Sequence, residues 1–480
     1  MKAKITVHPR FTIGEIDPKL YGSFVEHLGR CVYGGIYEPT HPTADEEGFR
    51  GDVLELVKEL GVPIVRYPGG NFVSNYHWED GIGPKDKRPV RPDLAWRSIE
   101  TNQVGIDEFQ SWAKKADTEV MMAVNLGNRG VEDALNCLEY CNLDTDTTYA
   151  ALRRQNGFEK PFDIKYWCLG NEMDGPWQTG YKSAEDYGRL AHEVGKQMKL
   201  MDPSVKLIAC GSSNSRMATF IDWERAVLTA AYNEIDYISL HSYYAKVTNS
   251  GNYLASCLDM DRFIKAVGAV CDSVKAKKKS KKDILLSFDE WNVWYSHPSD
   301  TKHEWAEAPA LLENVYNFED ALEVGMLLMT LQNNCDRVKM ACMAQLVNVI
   351  APIMTENGGK AWAQTIFYPY YYASLYGRGT TLRTVIDCPT YETDLFGQVP
   401  YLEASVIDGE QGRVVFAVNR SLDEEMELEL DGTVFEHIEL YHDELTAVND
   451  KDNSRVTPTV REVGEKVILK PHSWNMIRLK

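Results

Sequence analysis

IKYWCLGNE, residues 164–172, is a short apolar run that ends in glycine, asparagine and glutamate. An amphipathic segment follows at residues 184–201, and a second apolar run, VKLIAC, follows at residues 205–210. Runs that are apolar almost throughout indicate strands buried on both faces, as in a parallel sheet. This stretch therefore predicts a β-α-β unit.

The same alternation recurs along most of the chain. Further amphipathic segments lie at residues 51–60, 105–115 and 261–275, each between two apolar runs. Eight strand–helix units are what a (β/α)8 TIM barrel requires, and its strand-following loops form the catalytic rim. We expect the long segments 75–94 and 174–181 on that rim. The eight predicted strands are residues 20–26, 62–67, 119–126, 164–169, 205–210, 237–240, 284–288 and 338–343.

The pattern changes after about residue 383, where short β runs such as RVVFAVN (413–419) and MELEL (426–430) alternate with turn residues. Such a series predicts an all-β domain of the sandwich type. KAKITVH, residues 2–8, alternates in the same way, and we expect it to pair into that domain. The predicted division is residues 1–17 with the β-sandwich, 18–383 as the catalytic barrel and 384–480 as the C-terminal β-sandwich.

Composition narrows the classes of partner. The chain has 480 residues, 51 of them basic and 71 acidic, with a net charge of −20. This charge argues against nucleic acid as a partner. The sequence has no run of about 20 apolar residues for a membrane span, and its start, MKAKITVHPRF, has no apolar region typical of a secretion signal. The ten cysteines stand mostly singly in apolar runs, so we expect reduced thiols and a cytoplasmic protein.

Two glutamates stand at the ends of predicted strands. Glu172 ends the fourth strand in GNE, and Glu290 lies in DEWN at the end of the seventh. Because strand ends meet at one pocket mouth in a barrel, the two carboxyl groups are expected to face each other, which suits cleavage of a glycosidic bond. The alternative is a pair of surface or salt-bridged glutamates without a catalytic role. Histidines form no HxH or HExxH pattern, and no Rossmann or P-loop glycine pattern occurs, so we expect no metal and no cofactor.

WCLGNEMDGPW (167–177) and SFDEWNVWY (287–295) resemble the acid/base and nucleophile motifs of family 51 glycoside hydrolases, the intracellular retaining α-L-arabinofuranosidases. Four more segments resemble other parts of that family, so that the resemblance covers nearly the whole chain. They are YGSFVEHLGRCVYGGIYEP (21–39), VRYPGGNFVSNYHWEDGIGP (65–84), ISLHSYY (238–244) and AQLVNVIAPIMTE (344–356).

The resemblance implies that Glu172 is the general acid/base and Glu290 the nucleophile. It also implies a Tyr that orients the nucleophile at Tyr243 and a contact between Asn171 and the sugar 2-hydroxyl. Ser242 departs from the family, in which Gln is frequent, and this leaves the local substrate contacts open. The implied substrate-binding residues are Glu26, Arg66, Asn71, Trp96, Asn171, His241, Tyr243, Trp294 and Gln345.

Several alternatives stay open at this point. Arg66 could pair with a barrel carboxylate, His241 could be a scaffold residue, and Trp96 and Trp294 could belong to the core. The resemblance implies an exo-acting enzyme that releases terminal α-L-arabinofuranose from arabino- and arabinoxylo-oligosaccharides by double displacement. It also implies a homo-oligomer, with hexamers frequent in the family. The rival functions are another retaining glycosidase, such as a xylosidase or endoglucanase, and a non-catalytic carbohydrate-binding protein.

Overall fold

A computed structural model describes residues 1–297, 300, 302–410 and 412–480. Within these residues, eight parallel strands close a barrel in chain order, which confirms the predicted (β/α)8 architecture. The barrel strands, numbered one to eight, are Gly22–Phe24, Ile64–Tyr67, Glu119–Val124, Tyr166–Leu169, Lys206–Ala209, Tyr237–Tyr244, Leu285–Val293 and Val338–Ala344.

Helices follow the strands along the chain. In Ala184–Met201, Ser183 caps the first turn by accepting from the backbone N–H of Asp186 at 3.2 Å. Its buried residues, such as Tyr187, Ala191 and Met198, recur every three or four positions, so one face packs inward. The α-helices are Gly51–Leu60, Ile106–Ala116, Val131–Asn142, Thr148–Gln155, Ala184–Met201, Asp222–Ala231, Ser250–Tyr253, Cys257–Lys278, Phe318–Asn333 and Phe367–Tyr376. Short 3-10 helices lie at Pro18–Tyr21, Asn71–Ser74, Trp78–Gly81 and Lys85–Lys87.

Strands six and seven are longer than predicted, because polar residues lie inside them rather than after them. Strand six was expected to end at residue 240 and strand seven at residue 288. The structure instead keeps Glu290 paired with His241, and Asn292 with Tyr243, in one parallel ladder. Backbone hydrogen bonding therefore continues through the residues that predicted the ends of these strands.

A second domain has nine strands in one sheet among the described residues, which confirms the predicted all-β C-terminal domain. The first strand of the chain, Lys2–Glu15, pairs antiparallel with Thr380–Asp387 and parallel with Met426–Leu430. The sheet curls, and one face encloses its own apolar core, with Ile5 and Val415 among its members. The other strands of the sheet are Leu402–Gly409, Gly412–Asn419, Val434–Leu440, Thr459–Val460, Val467–Leu469 and Ser473–Leu479.

The opposite face of this sheet packs on the barrel. Phe416 and Trp474 belong to the barrel's core cluster, and Trp474 lies against Gly325 of the helix Phe318–Asn333, where an added Cβ would clash with the indole. The predicted boundary between residues 383 and 384 falls within the strand Thr380–Asp387. The division into domains at those residues remains a prediction.

Three two-stranded sheets complete the described part of the fold, and one of them approaches the carboxyl end of the barrel. It is the hairpin Arg91–Asp93 and Ser98–Glu100, in the long loop after strand two. The other two are Ile353–Thr355 with Ala361–Ala363, and Thr390–Thr393 with Gly397–Pro400. All ten cysteines carry free thiols. In the described part of the chain, no helix is both long and apolar enough to cross a membrane.

Candidate active site

A cavity of about 560 Å³ opens at the carboxyl ends of the barrel strands. Both predicted catalytic glutamates line it, and so do six of the nine predicted substrate-binding residues. Those six are Glu26, Asn71, Trp96, Tyr243, Trp294 and Gln345. Arg66, Asn171 and His241 do not line the cavity. Arg66 and His241 contact the two glutamate carboxyl groups, and Asn171 accepts a hydrogen bond from Arg66.

Glu290 is buried on strand seven, and both of its carboxylate oxygens are fixed by donors. Arg66 of strand two donates from Nη1 to Oε1 at 2.6 Å, and the Tyr243 hydroxyl donates to Oε2 at 2.7 Å. Arg66 also donates from Nη2 to Asn171 Oδ1 at 2.7 Å. A charged donor and a hydroxyl together hold the carboxyl group in one orientation. Glu290 therefore presents a fixed carboxyl group to the cavity.

Glu172 follows strand four with a backbone φ of 42°. This left-handed conformation is uncommon for a residue other than glycine, and such strain concentrates at functional sites. His241 Nδ1 lies 3.0 Å from Oε1, and the indole Nε1 of Trp177 donates to Oε2 at 2.6 Å. Burial, together with the charge of Glu290, raises the pKa of Glu172, although the hydrogen bond from His241 opposes this. The arrangement favours a protonated Glu172 beside an ionised Glu290.

The two carboxyl groups are close together. One carboxylate oxygen of Glu172 and one of Glu290 lie within 4.8 Å of each other, and both lie within that distance of a ring nitrogen of His241. Retaining glycosidases hold their carboxyl groups about 5–5.5 Å apart, whereas inverting enzymes leave about 6.5–9.5 Å for a water molecule. The separation therefore has the range of direct attack by one carboxylate.

His241 bridges the acid pair to a third carboxyl group. Its Nε2 lies 3.1 Å from Asp289 Oδ1, while its Nδ1 faces Glu172. Burial alone would lower the pKa of His241, but the charge of Glu290 and the hydrogen bonds to Asp289 and Glu172 raise it to about 10. At neutral pH the imidazolium and Arg66 thus face three carboxyl groups. One of the three can carry a proton without leaving a net charge in the cluster.

Glu26, immediately beyond strand one, is a second buried acid in the cavity wall. Its oxygens accept from the backbone N–H of Phe72 at 2.9 Å, the indole of Trp96 at 3.0 Å and the Gln345 amide at 3.2 Å. Burial raises the pKa of Glu26 to about 8, with the charge of Glu290 acting in the same direction. A protonated carboxyl can both donate to and accept from a sugar hydroxyl. Asn71 is held nearby, since its Oδ1 accepts from Asn171 at 3.3 Å.

The structure also places the residues for which the sequence left alternatives. Arg66 pairs with a barrel carboxylate, and His241 contacts carboxyl groups rather than the open cavity. Trp96 and Trp294 are half-buried: both pack against the core and line the cavity, and Trp294 meets the Tyr243 ring edge-on at 5.4 Å. Sugar contacts by these four residues remain predictions.

Sequence reasoning missed two residues that contact the acid pair or its bridge. Asp289 orients His241, and Trp177 donates to Glu172. Both stand inside the quoted motifs, one beside Glu290 and the other five residues after Glu172, so their positions could have suggested a role. Other cavity residues come from loops outside the quoted motifs. Among these are Leu94, Asn214, Arg216, Asp300 and Leu312.

Among the described residues, one group has the spacing of metal ligands, and it is Glu172, His241 and Glu290. Glu290 already accepts from the Arg66 guanidinium, and the pKa of His241 near 10 keeps its ring protonated at neutral pH. A cation at this place would meet two positive charges. The donor set therefore suits proton transfer better than metal binding.

Comparisons with known proteins agree with this geometry. Residues 56–257 match the family model described as α-L-arabinofuranosidase 1 domain, and residues 289–473 match the α-L-arabinofuranosidase C-terminal domain. The chain is 56% identical to an intracellular exo-α-(1→5)-L-arabinofuranosidase 1 of Bacillus subtilis, over 100% of this chain and 99% of the relative. It is 48% identical to an exo-α-(1→6)-L-arabinofuranosidase of Bifidobacterium longum, over 100% of this chain and 97% of the relative.

A solved structure is similar over the same extent. The structure of a family 51 α-L-arabinofuranosidase from Bifidobacterium longum superposes with a TM-score of 0.95 at 46% identity. The match covers 100% of this chain and 99% of that one. The similarity thus includes both the barrel and the β-sandwich.

Proposed function

The chain belongs to the family 51 α-L-arabinofuranosidases, and on that premise we propose that Glu290 and Glu172 hydrolyse α-L-arabinofuranosides by double displacement. The observation that carries the proposal is the distance between the two carboxyl groups, whose nearest atoms lie within 4.8 Å. This range leaves no space for a water molecule between a base and the anomeric carbon, and it favours retention.

In the first step the Glu290 carboxylate attacks the anomeric carbon, while Glu172 donates its proton to the departing glycosidic oxygen. Arg66 and Tyr243 hold the attacking carboxylate in one orientation, so little reorganisation precedes the attack. The product of this step is an arabinofuranosyl ester of Glu290, and the alcohol leaves with the proton from Glu172.

In the second step a water molecule replaces the leaving group. Burial still acts on Glu172, but esterified Glu290 carries no charge, so one of the two causes that raise the pKa of Glu172 is removed and Glu172 can act as a base. It takes a proton from the water, whose oxygen attacks the anomeric carbon and restores the Glu290 carboxylate. Arabinose leaves with its anomeric configuration retained.

The proposed substrates are terminal arabinofuranosyl units on arabino- and arabinoxylo-oligosaccharides. One buried end of the cavity has Glu26, Asn71 and Gln345 as partners for sugar hydroxyls, and the outer part is lined by Trp177, Arg216 and other loop residues. Relatives named for (1→5) and for (1→6) linkages are 56% and 48% identical to this chain. Linkage preference is therefore expected to depend on the loops rather than on the acid pair.

Two further parts of the proposal concern location and assembly. The first is an intracellular site of action, as the Bacillus subtilis relative is named intracellular. The second is a homo-oligomer, with a hexamer as the expected state from the family resemblance. The mass of the purified protein, measured by light scattering, checks the oligomer: a mass near 54.5 kDa, that of one chain, would contradict it.

The central test is stereochemical and mutational. Proton NMR of the first-formed product should reveal the retained anomer, and a first-formed product of inverted configuration would contradict double displacement. Glu290→Gln keeps the shape of the side chain but removes the nucleophile, so turnover of an aryl α-L-arabinofuranoside should fall to background. Glu172→Gln should lose less activity on substrates whose leaving group departs without a proton than on other substrates. Azide should restore the second step of this variant, because it attacks without help from a base.

A panel of para-nitrophenyl glycosides separates this proposal from its rivals. The arabinofuranoside should be hydrolysed with the highest kcat/KM, well above the xyloside. Faster hydrolysis of the xyloside or of a polymeric glucan would favour a xylosidase or an endoglucanase. Binding of arabino-oligosaccharides without turnover would favour a carbohydrate-binding protein.

A further inference from the structure

One wall of the active-site cavity is the tip of a β-hairpin. The hairpin Arg91–Asp93 and Ser98–Glu100 turns through residues 94–97, and three residues of this tip line the cavity. Those residues are Leu94, Ala95 and Trp96. The hairpin also pairs with the loop after strand seven, because the Ile99 N–H donates to the Ala306 carbonyl at 2.9 Å. The wall is therefore carried by a loop rather than by a barrel strand.

A single buried carboxylate closes this turn. Asp93, 3% exposed, accepts the backbone N–H of Ala95 at 3.0 Å and that of Trp96 at 3.1 Å. Across the hairpin, the hydroxyl of Ser98 donates to the same carboxylate at 3.0 Å. A carboxylate that accepts two successive backbone donors fixes the conformation of the residues that carry them.

The same hairpin turn positions the indole of Trp96. Its Nε1–H donates to Glu26 Oε1 at 3.0 Å, so the ring is placed beside a proposed sugar-binding acid. We propose that Asp93 is a positioning residue, which sets the affinity for the arabinofuranosyl group by holding Trp96 against Glu26. The identity of the ligand in this inference rests on the proposed function. The contact between Trp96 and Glu26 does not.

The charge of Asp93 is expected to change within the working range of pH. Burial raises the pKa of Asp93 to about 6, in the same direction as the charge of Glu100, although the three hydrogen bonds oppose it. Backbone N–H groups bind a carboxylate more strongly than a neutral carboxyl, so protonation loosens the turn. Among the described residues, the titratable and charged groups near Asp93 are Glu100 and Arg91 on its own hairpin, and Glu26 beyond Trp96. His77 and Asp80 also face it, because they line a second cavity together with Asp93.

Asp93→Asn tests the proposal, because asparagine has the same shape and resembles the protonated acid at every pH. We expect KM for an aryl α-L-arabinofuranoside at pH 7 to rise about tenfold, with kcat within about twofold. In the wild type, KM should rise as the pH falls through about 6, whereas in Asp93→Asn it should no longer change there. Asp86→Asn is the matched control, since Asp86 is an exposed acid in the same long loop.

Hydrogen exchange gives a readout that needs no substrate. The amides of Ala95 and Trp96 should exchange faster in Asp93→Asn than in the wild type and in Asp86→Asn. Unchanged exchange together with unchanged KM would overturn the proposal. A kcat that falls by as large a factor as KM rises would also overturn it, and would assign Asp93 a general structural role instead. If the wild type did not hydrolyse arabinofuranosides, the proposed function would be wrong. The exchange measurement would still decide whether Asp93 positions Trp96.

Ser98→Ala is a second variant in case Asp93→Asn does not fold. It removes one of the three hydrogen-bond donors to Asp93 and leaves the charge of Asp93 in place. The same changes in KM and amide exchange are therefore expected, but they should be smaller. A Ser98→Ala protein identical to the wild type in both measurements would count against the proposal.

Discussion

Replacing Tyr243 with phenylalanine removes one hydrogen bond from Glu290 and keeps the ring that packs on Trp294. The lost bond joins the Tyr243 hydroxyl to Glu290 Oε2 at 2.7 Å. The other oxygen of Glu290 keeps its bond to Arg66, so the carboxylate stays paired. Glu290 is buried and Tyr243 is half-buried, so little water reaches the position of the hydroxyl. The variant therefore isolates the contribution of one donor.

The effect should differ between the two steps of the reaction. In the second step the negative charge returns to Glu290, so the bond from Tyr243 strengthens towards the transition state. A hydrogen bond to a charged group contributes about 1.5–3 kcal/mol, and each 1.36 kcal/mol is tenfold in rate. Its loss should slow the second step about 10- to 150-fold. The first step should slow less, since the charge on Glu290 is disappearing there.

Stopped-flow release of an aryl leaving group measures this difference. Tyr243→Phe should give a burst of about one equivalent of product per active site, followed by a slow steady state with reduced kcat and reduced KM. Tyr166→Phe is the control, because Tyr166 begins strand four at the opposite end of the barrel. Equal losses in kcat and kcat/KM without a burst would refute the reasoning and place the role of Tyr243 in the first step.

Three further predictions concern other charged groups. His241→Gln removes the positive charge beside Glu172 and should raise its pKa further, so the alkaline limb of the kcat/KM profile should move to higher pH. Arg420→Met leaves Glu403 without its partner at the interface between barrel and β-sandwich, and guanidinium unfolding should report a loss of about 3 kcal/mol. Burial raises the pKa of Asp107 to about 7 in the folded protein, so stability should fall as pH rises from about 4 to about 7, and Asp107→Asn should remove this fall in a series of Tm measurements.

Each of these has an outcome that would contradict it. An alkaline limb that stays in place in His241→Gln would mean that His241 does not control the protonation of Glu172. A change of less than about 1 kcal/mol in Arg420→Met would put this pair in the range of an exposed salt bridge. A Tm profile with the same slope in Asp107→Asn would assign the pH dependence to other acids.

The barrel and its acid pair could be predicted from sequence because burial on both faces leaves a local signature. Strands of a parallel barrel are mostly apolar, and the polar residues at their carboxyl ends lie at one rim, where Glu172 and Glu290 were found. The helices Gly51–Leu60 and Ala184–Met201 have the predicted bounds, since their apolar residues repeat with the helical period. Glu26, Asn71, Tyr243 and Gln345 were named through the family resemblance, and all line the cavity.

Hydrogen-bond partners could not be predicted in the same way. Arg66 and Glu290 are 224 positions apart in the chain, and His241 and Glu172 are 69 apart. Whether such a side chain faces the ligand or a neighbouring carboxylate depends on the angle at which two strands meet, which no local pattern encodes. For the same reason the sequence did not reveal that Trp96, in the turn that Asp93 closes, donates to Glu26, which is 70 positions away.

The sequence by itself thus determined the alternation of strands and helices, the all-β character of the C-terminal domain and the two glutamates at the barrel rim. Only the tertiary structure decided that strands six and seven continue through His241 and Glu290, and that Arg66 and His241 lie beneath the cavity rather than in its wall. The physical reason is that burial and periodicity act on neighbours in the chain. Charge pairing and hydrogen bonding act between residues that only the closed barrel brings together.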